Sequence, residues 1–174
     1  MKVLKFGGTS VGSVESIRHI QQIISQQTDD CIVVVSALGG ITDQLLKAAH
    51  LALEAGEEYM EIYQAIRCRH MDMVNTLITN PTTRQMLCLE LESILDELRS
   101  ILFGVHLVKD LSNKTEAAIV SYGERMSSRI VTSALPGAVR KNSLQFIRTE
   151  HKQGQVLLNT ELTEQLIRQV FSPM

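Results

Sequence analysis

Lys5-Phe6-Gly7-Gly8-Thr9-Ser10 is the stretch from which the rest of this chain is read. With Val3, Leu4 and Phe6 apolar, residues 1–6 read as a short strand, and Gly7-Gly8 stops it at once. A helical pattern begins near Ser13. Strand, glycine turn and helix start are the parts of a phosphate cradle. Glycine lets backbone come close to an anion, and the first N–H groups of a helix have no partners of their own. Lys5 adds a mobile positive charge at the strand end, and Thr9 and Ser10 add hydroxyls. In a Walker loop the lysine follows the glycines; here it precedes them. The dinucleotide fingerprint G-x-G-x-x-G is also missing, because the glycines fall at 7, 8 and 12. Taken alone, the glycine pair reads equally well as a plain tight turn.

The rest of the chain narrows the setting. Its 174 residues are enough for one domain with a real core, here residues 1–174. Hydrophobic residues make up 44% and charged residues 21%, as in ordinary globular proteins. A net charge of −2 gives no electrostatic footprint for nucleic acid. No apolar run approaches the roughly 20 residues that a membrane span needs. Met1-Lys2 leads straight into the first strand, so no signal peptide is expected. Cys31, Cys68 and Cys88 are odd in number and far apart, which suits a reducing cytoplasm better than a disulfide framework. Cys68 and His70 lack a second pair to complete a metal site, so no metal ligand set is expected and both read as buried or half-exposed structural residues.

In chain order, Val14, Ile17, Ile20 and Ile24 fall on one face of a helix over 14–26. After a polar break, residues 31–35 are apolar without alternation and rich in β-branched side chains, as in a strand buried on both faces. The resulting βαβ unit leads into a second loop, residues 36–42, with Gly39-Gly40 inside it. Thr42 is expected to cap the next helix and Asp43 to lie in its first turn. That helix carries Leu45, Ala49, Ala52 and Leu53 and should stop near Gly56. Helices over 57–79 and 83–103, the second closed by Gly104, should form an antiparallel hairpin spanning about 57–104. In it Met60, Met71, Met73 and Met86 read as packing, and Asp96, Glu97 and Arg99 as a solvated face. A small anion site at Arg67, Arg69 and His70 is the minor alternative there.

Residues 107–113 are irregular, and a helix from about Thr115 runs to Pro136-Gly137 with Ile119, Met126, Ile130 and Ala134 in one stripe. Gly123 inside that helix costs about 1 kcal/mol against alanine, which points to close packing or to ligand approach. Residues 144–147 read as a third strand and 151–155 as a polar loop. Asn159 or Thr160 then caps a last helix bearing Leu162, Leu166 and Val170. The architecture expected is α/β, a parallel sheet flanked by helices.

Two further segments join the opening one. Val34-Val35-Ser36-Ala37-Leu38-Gly39-Gly40-Ile41-Thr42-Asp43 and Ser121-Tyr122-Gly123-Glu124-Arg125-Met126-Ser127 follow it in order. With Lys5-Phe6-Gly7-Gly8-Thr9-Ser10-Val11, these resemble three motifs of the aspartokinases, within the amino-acid kinase family. The resemblance implies a three-layer α/β sandwich with an inserted helical hairpin, of which this chain would be a truncated, N-terminal piece. It implies phosphoryl transfer from ATP, with Mg2+ held by the nucleotide, to the side-chain carboxylate of L-aspartate, the first step of Lys/Thr/Met biosynthesis. A homo-oligomer is implied for the intact enzyme, and some members are fused to homoserine dehydrogenase. The adenine-facing half of the site and a second catalytic acid would lie outside the chain, so no turnover is expected of it alone.

Carried over on the same grounds, Lys5 is catalytic, and Lys5, Gly7, Gly8, Thr9, Ser10 and Gly39 bind the ATP phosphates. Ser36, Thr42 and Glu124 bind aspartate. The chemistry is consistent with the residues. Phosphoryl transfer needs charge neutralisation and in-line positioning. A carboxylate acceptor is already ionised near neutral pH and needs no base. The five histidines are scattered and read as surface or capping groups. The plain alternatives are that Ser36 and Thr42 only cap, and that Glu124 pairs with Arg125 or Arg129 on the surface. Other readings are a kinase for glutamate, acetylglutamate or carbamate, which Thr9-Ser10 disfavours, and a non-catalytic module that binds an anion or a partner chain.

Overall fold

The computed structural model describes residues 1–54, 56–152 and 155–171. Residues 1–138 and 139–174 form two compact units. In the first, β1 (Lys2–Phe6) and β2 (Cys31–Val35) pair in parallel, in register from Lys2 opposite Cys31 to Phe6 opposite Val35. A parallel pair needs a crossover, and α1 (Val14–Ser25) supplies it. Ser13 caps α1 by accepting the Ser16 N–H at 3.1 Å, and Ile17 and Ile20 are buried in the core. Side chains alternate across a strand. Phe6, Val33 and Val35 therefore pack on the core, while Val3 and Val34, on the same sheet face as Lys5, stay 64% and 45% exposed.

The rest of this core is helical. α2 (Ile41–Leu51) buries Ile41, Leu45, Ala48 and Ala49 completely, and its alanines let α3 (Glu58–Leu77) and α5 (Asn113–Ala134) pack closely on it. α2 ends at Leu51, short of the expected Gly56, and the chain continues in single turns through residues 52–54. α4 (Pro81–Val108) folds back on α3. Tyr59 meets His106 with ring centroids 5.1 Å apart and Arg67 pairs with Glu92, so the two helices run antiparallel, as expected.

Both ends of α4 lie outside the expected 83–103. Asn80 accepts the Thr83 N–H at 3.0 Å and Pro81 occupies the first turn, where its missing N–H is harmless, so the helix starts earlier. Gly104 remains helical. The helix stops instead at Lys109, whose φ of 56° is left-handed and whose N–H reaches the Val105 carbonyl at 2.8 Å. The Lys109 ammonium also bonds the Ala52 carbonyl at 3.5 Å and the Glu54 carbonyl, which secures this left-handed stop from the side chain. Ser112 caps α5 by accepting the Thr115 N–H at 3.1 Å, which starts that helix inside the stretch expected to be irregular. Met73 is buried and Met60 and Met71 are half-buried against the core, but Met86, also read as packing, is 61% exposed.

The second unit holds a 3-10 turn (Ser143–Gln145), β3 (Thr149–Lys152) paired antiparallel with β4 (Gln155–Leu158), and α6 (Thr160–Phe171). The third strand expected at 144–147 does not form. Asn142 accepts the Leu144 N–H at 3.2 Å and the Ile147 N–H bonds the Ser143 carbonyl at 2.8 Å, so these backbone groups close a local turn. Pairing falls instead on 149–152 and 155–158. This overturns the polar loop expected at 151–155. Thr149-Glu150-His151-Lys152 has no apolar alternation to reveal a strand, and its Glu150 and Lys152 pair at 2.8 Å. Residues 153 and 154 of that loop, and the terminal Ser172-Pro173-Met174, lie outside the described residues. Asn159 caps α6 by accepting the Leu162 N–H at 3.0 Å, and Phe146 meets Phe171 edge to face at 5.5 Å.

Candidate active site

The three motif segments meet at the C-terminal ends of β1 and β2. After Phe6 the Ser10 and Val11 N–H groups bond the Gly7 carbonyl at 3.0 and 3.2 Å, and fully buried Val11 anchors this turn. After Val35, the Ser36 N–H bonds the Phe6 carbonyl at 3.1 Å, and Ala37 and Leu38 are buried. Gly40 then takes φ 80°, a conformation glycine alone adopts without strain, and the Ile41 N–H bonds the Leu38 carbonyl at 2.9 Å. The two turns touch. A Cβ on Gly8 would stand 3.2 Å from the Ala37 carbonyl oxygen and 3.3 Å from Gly39 Cα, and one on Gly39 would stand 3.1 Å from the Gly8 carbonyl oxygen. At these positions glycine is needed for room.

Lys5 folds over the first turn, its ammonium 3.6 Å from where a Gly7 Cβ would be. Thr9 is exposed. Ser10 lines an open cavity of about 390 Å³ with Phe6, Glu15, Ser16, His19, Ile20 and Ile23. Thr42 does not cap α2. The left-handed turn at Gly40 feeds the chain into the helix at Ile41, so Gly40 is the N-cap and Thr42 lies in the first turn. A residue there leaves its backbone N–H without an intrahelical partner.

α5 clasps the second turn from one patch. Glu124 Oε1 accepts the Ala37 N–H at 3.2 Å, and Ser127 Oγ donates to the Ser36 carbonyl at 2.6 Å. Gly123 lies so close that a Cβ on it would be 2.6 Å from Ala37 Cβ. The surface pairing of Glu124 with Arg125 is therefore not what forms. Arg125 turns to Glu97 at 2.6 Å and lies 4.2 Å over the Tyr122 ring. Glu97 thus makes a cross-helix pair while staying exposed with Asp96 and Arg99 on the solvated face expected for them. The Arg125 guanidinium holds the Glu97 carboxyl below its usual range, and burial pushes the Tyr122 phenol up. Ser127 escapes a reading by motif alone. Its signal is position, one turn beyond Glu124 on the face that carries Gly123.

Arg67, Arg69 and His70 do not form an anion site. Arg67 Nε donates to Glu92 at 3.1 Å, while Arg69 Nη2 donates to the Gly12 carbonyl at 3.3 Å. His70 is fully buried, in the structural role expected of it beside Cys68 and unlike the surface or capping role expected of the histidines as a group, with Nδ1 2.7 Å from the Ile66 carbonyl. Burial pushes it down to about 4. Of the other histidines, His50 pairs with Glu116 at 3.1 Å and His106 lies against Tyr59. Among the described residues no three His, Cys, Asp or Glu side chains cluster where they could hold a metal, and no helix is long and apolar enough to cross a membrane.

A βαβ start, a strand-end lysine and two touching glycine turns clasped by a helix glutamate define this site as the strand-end cleft of an α/β protein. The sequence profile of the Amino acid kinase family matches residues 1–173, and the chain belongs to that family. Aspartokinase 2, chloroplastic, of Arabidopsis thaliana is 32% identical over 137 residues, covering 76% of this chain and 24% of that protein. The bifunctional aspartokinase/homoserine dehydrogenase of Buchnera aphidicola is 31% identical over 141 residues, covering 78% of this chain and 17% of that protein. The crystal structure of E. coli aspartokinase III in complex with aspartate and ADP matches with a TM-score of 0.85 at 24% identity, over 99% of this chain and 38% of that one. The fold is thus the expected α/β kinase fold. The chain spans about a quarter or less of the length of these curated relatives.

Proposed function

We propose that this chain carries the phosphate- and aspartate-facing part of an aspartate kinase, which transfers the γ-phosphoryl group of ATP to the side-chain carboxylate of L-aspartate. The observation that carries the reading is the contact between the Gly7-Gly8 turn under Lys5 and the turn over residues 36–42, held by Glu124 and Ser127. Phosphoryl transfer rests on positioning and charge neutralisation, and this contact brings a cation and two turns of backbone N–H groups together. In this reading Lys5 neutralises the transferring phosphoryl oxygens. Gly7, Gly8, Thr9, Ser10 and Gly39 hold the ATP phosphates. The hydroxyls of Ser36 and Thr42 and the second carboxylate oxygen of Glu124 hold aspartate, Glu124 at its ammonium group. The acceptor carboxylate is ionised near neutral pH and needs no base. Mg2+ travels on the nucleotide phosphates. The aspartate and ADP bound by E. coli aspartokinase III support this choice of substrates, and the free cysteines Cys31, Cys68 and Cys88 support a cytoplasmic setting.

The test is an amide NMR titration of the chain with L-aspartate, L-glutamate and inorganic phosphate, native and as Lys5→Met. L-Aspartate should move the amides of residues 36–43 and 124, and L-glutamate should move them far less. Phosphate should move residues 7–10 and 39, and Lys5→Met should abolish that response without lowering the melting temperature. Unmoved amides under L-aspartate, or a Lys5→Met protein that answers phosphate like the native one, would overturn the proposal.

A further inference from the structure

The two glycine turns are clasped by α5 on one side. On another side they meet a single cation from the inserted hairpin. Arg69, half-buried on α3, donates from Nη2 to the Gly12 carbonyl at 3.3 Å, and its Nη1 lies 3.9 Å from where a Gly40 Cβ would be. Gly12 belongs to the first turn, and a Cβ on it would stand 3.0 Å from the Gly8 carbonyl oxygen and 3.5 Å from the Gly39 nitrogen. Gly40 is the left-handed residue that starts α2. One guanidinium thus bonds the first turn and lies beside the second where the two meet. A planar fork with several fixed N–H donors can span two backbone segments in one orientation, which an ammonium on a flexible stem does less well.

From this we infer that Arg69 is a positioning residue: it fixes the Gly12 turn against the Gly39-Gly40 turn, so that both present their N–H groups to one anion. The inference rests on the proposed phosphate-binding role of these turns. It makes the α3–α4 hairpin part of the site's support, because displacing α3 would withdraw the guanidinium from both turns at once.

Arg69→Met and Arg69→Lys, with Lys5→Met beside them, test it by amide hydrogen exchange and phosphate titration of the chain. Arg69→Met should speed exchange at Gly12 and residues 39–43 at least tenfold, leave the core amides of α4 unchanged, and weaken the phosphate response about tenfold. Arg69→Lys should recover part of both. Unchanged exchange at these amides in Arg69→Met, or a rise spread equally over α4 and α5, would refute a positioning role. If the native chain ignores phosphate, or Lys5→Met answers it normally, the phosphate reading fails instead, and the exchange measurement still decides the role of Arg69.

Discussion

Gly123 offers the sharpest test of how the site is held. An alanine there should favour a helix interior by about 1 kcal/mol, since glycine gives up more backbone freedom on folding. The structure opposes that gain. The new Cβ would stand 2.6 Å from Ala37 Cβ, where carbon contacts are normally about 3.5–4.0 Å. It would also stand 3.4 Å from Ile41 Cγ2 and 3.4 Å from Leu45 Cδ1. None of these neighbours is a free surface tip, because Ala37, Ile41 and Leu45 are all buried. Either α5 or the turn over residues 36–40 must give by about an ångström, and overpacking of this kind costs about 1–3 kcal/mol. The net effect of Gly123→Ala should be a loss of about 1 kcal/mol, read from urea denaturation. Ala37→Gly removes the opposing methyl. In the double variant the clash disappears, and a double-mutant cycle should give a favourable coupling of about 1–2 kcal/mol. A Gly123→Ala protein more stable than the native one, or a cycle with no coupling, would refute the close-packing account of this glycine.

Three other expectations follow from single contacts. His70 should make stability fall in acid. Its folded value of about 4 lies below the unfolded 6.5, so the contribution is complete above pH 6.5, declines as the pH falls and is lost below 4. The difference is worth about 3 kcal/mol, and His70→Leu should flatten the profile between those limits; parallel profiles would refute it. Ser127→Ala leaves the half-buried Ser36 carbonyl without its donor and should cost about 0.5–1.5 kcal/mol while weakening the L-aspartate response; an unchanged melt and response would show that the contact is idle. Asn80→Ala removes the α4 cap and should cost about 1 kcal/mol in a thermal melt, with no effect on ligand titrations.

The fold is legible in the sequence where periodicity and stop signals agree. Residues 32–35 are continuously apolar and β-branched, which marks the strand but wrongly suggests burial on both faces, since Val34 is 45% exposed; the stripes of the helices between residues 14 and 134 repeat at helical spacing. The misplaced strand at 144–147 and the misplaced end of α4 come from local backbone bonding that overrides composition. Leu144-Gln145-Phe146-Ile147 is as apolar as a strand, yet Asn142 and Ser143 capture its N–H groups. Gly104 looks like a stop, but a glycine ends a helix only where the chain turns left-handed, and Lys109 makes that turn. Glu150 and Lys152 hide a strand behind a charge pair.

The site shows a related division between what spacing reveals and what only folding can bring together. Glycines that exist for room, Gly8 and Gly39, are 31 positions apart, and neither has a positive φ to mark it locally; each is required by the other. Glu124 is visible through its motif, but its partner is a backbone N–H at Ala37, which any residue would offer and no composition can announce. Arg69 sits in a cluster with Arg67 and His70 that looks like one feature and folds into three. Successive helix positions point about 100° apart, so Arg67 faces Glu92 on α4, His70 faces the core, and Arg69 alone reaches the glycine turns. The same geometry that disperses the apparent anion cluster delivers one of its members to the Gly12 turn, where the proposed function puts the ATP phosphates.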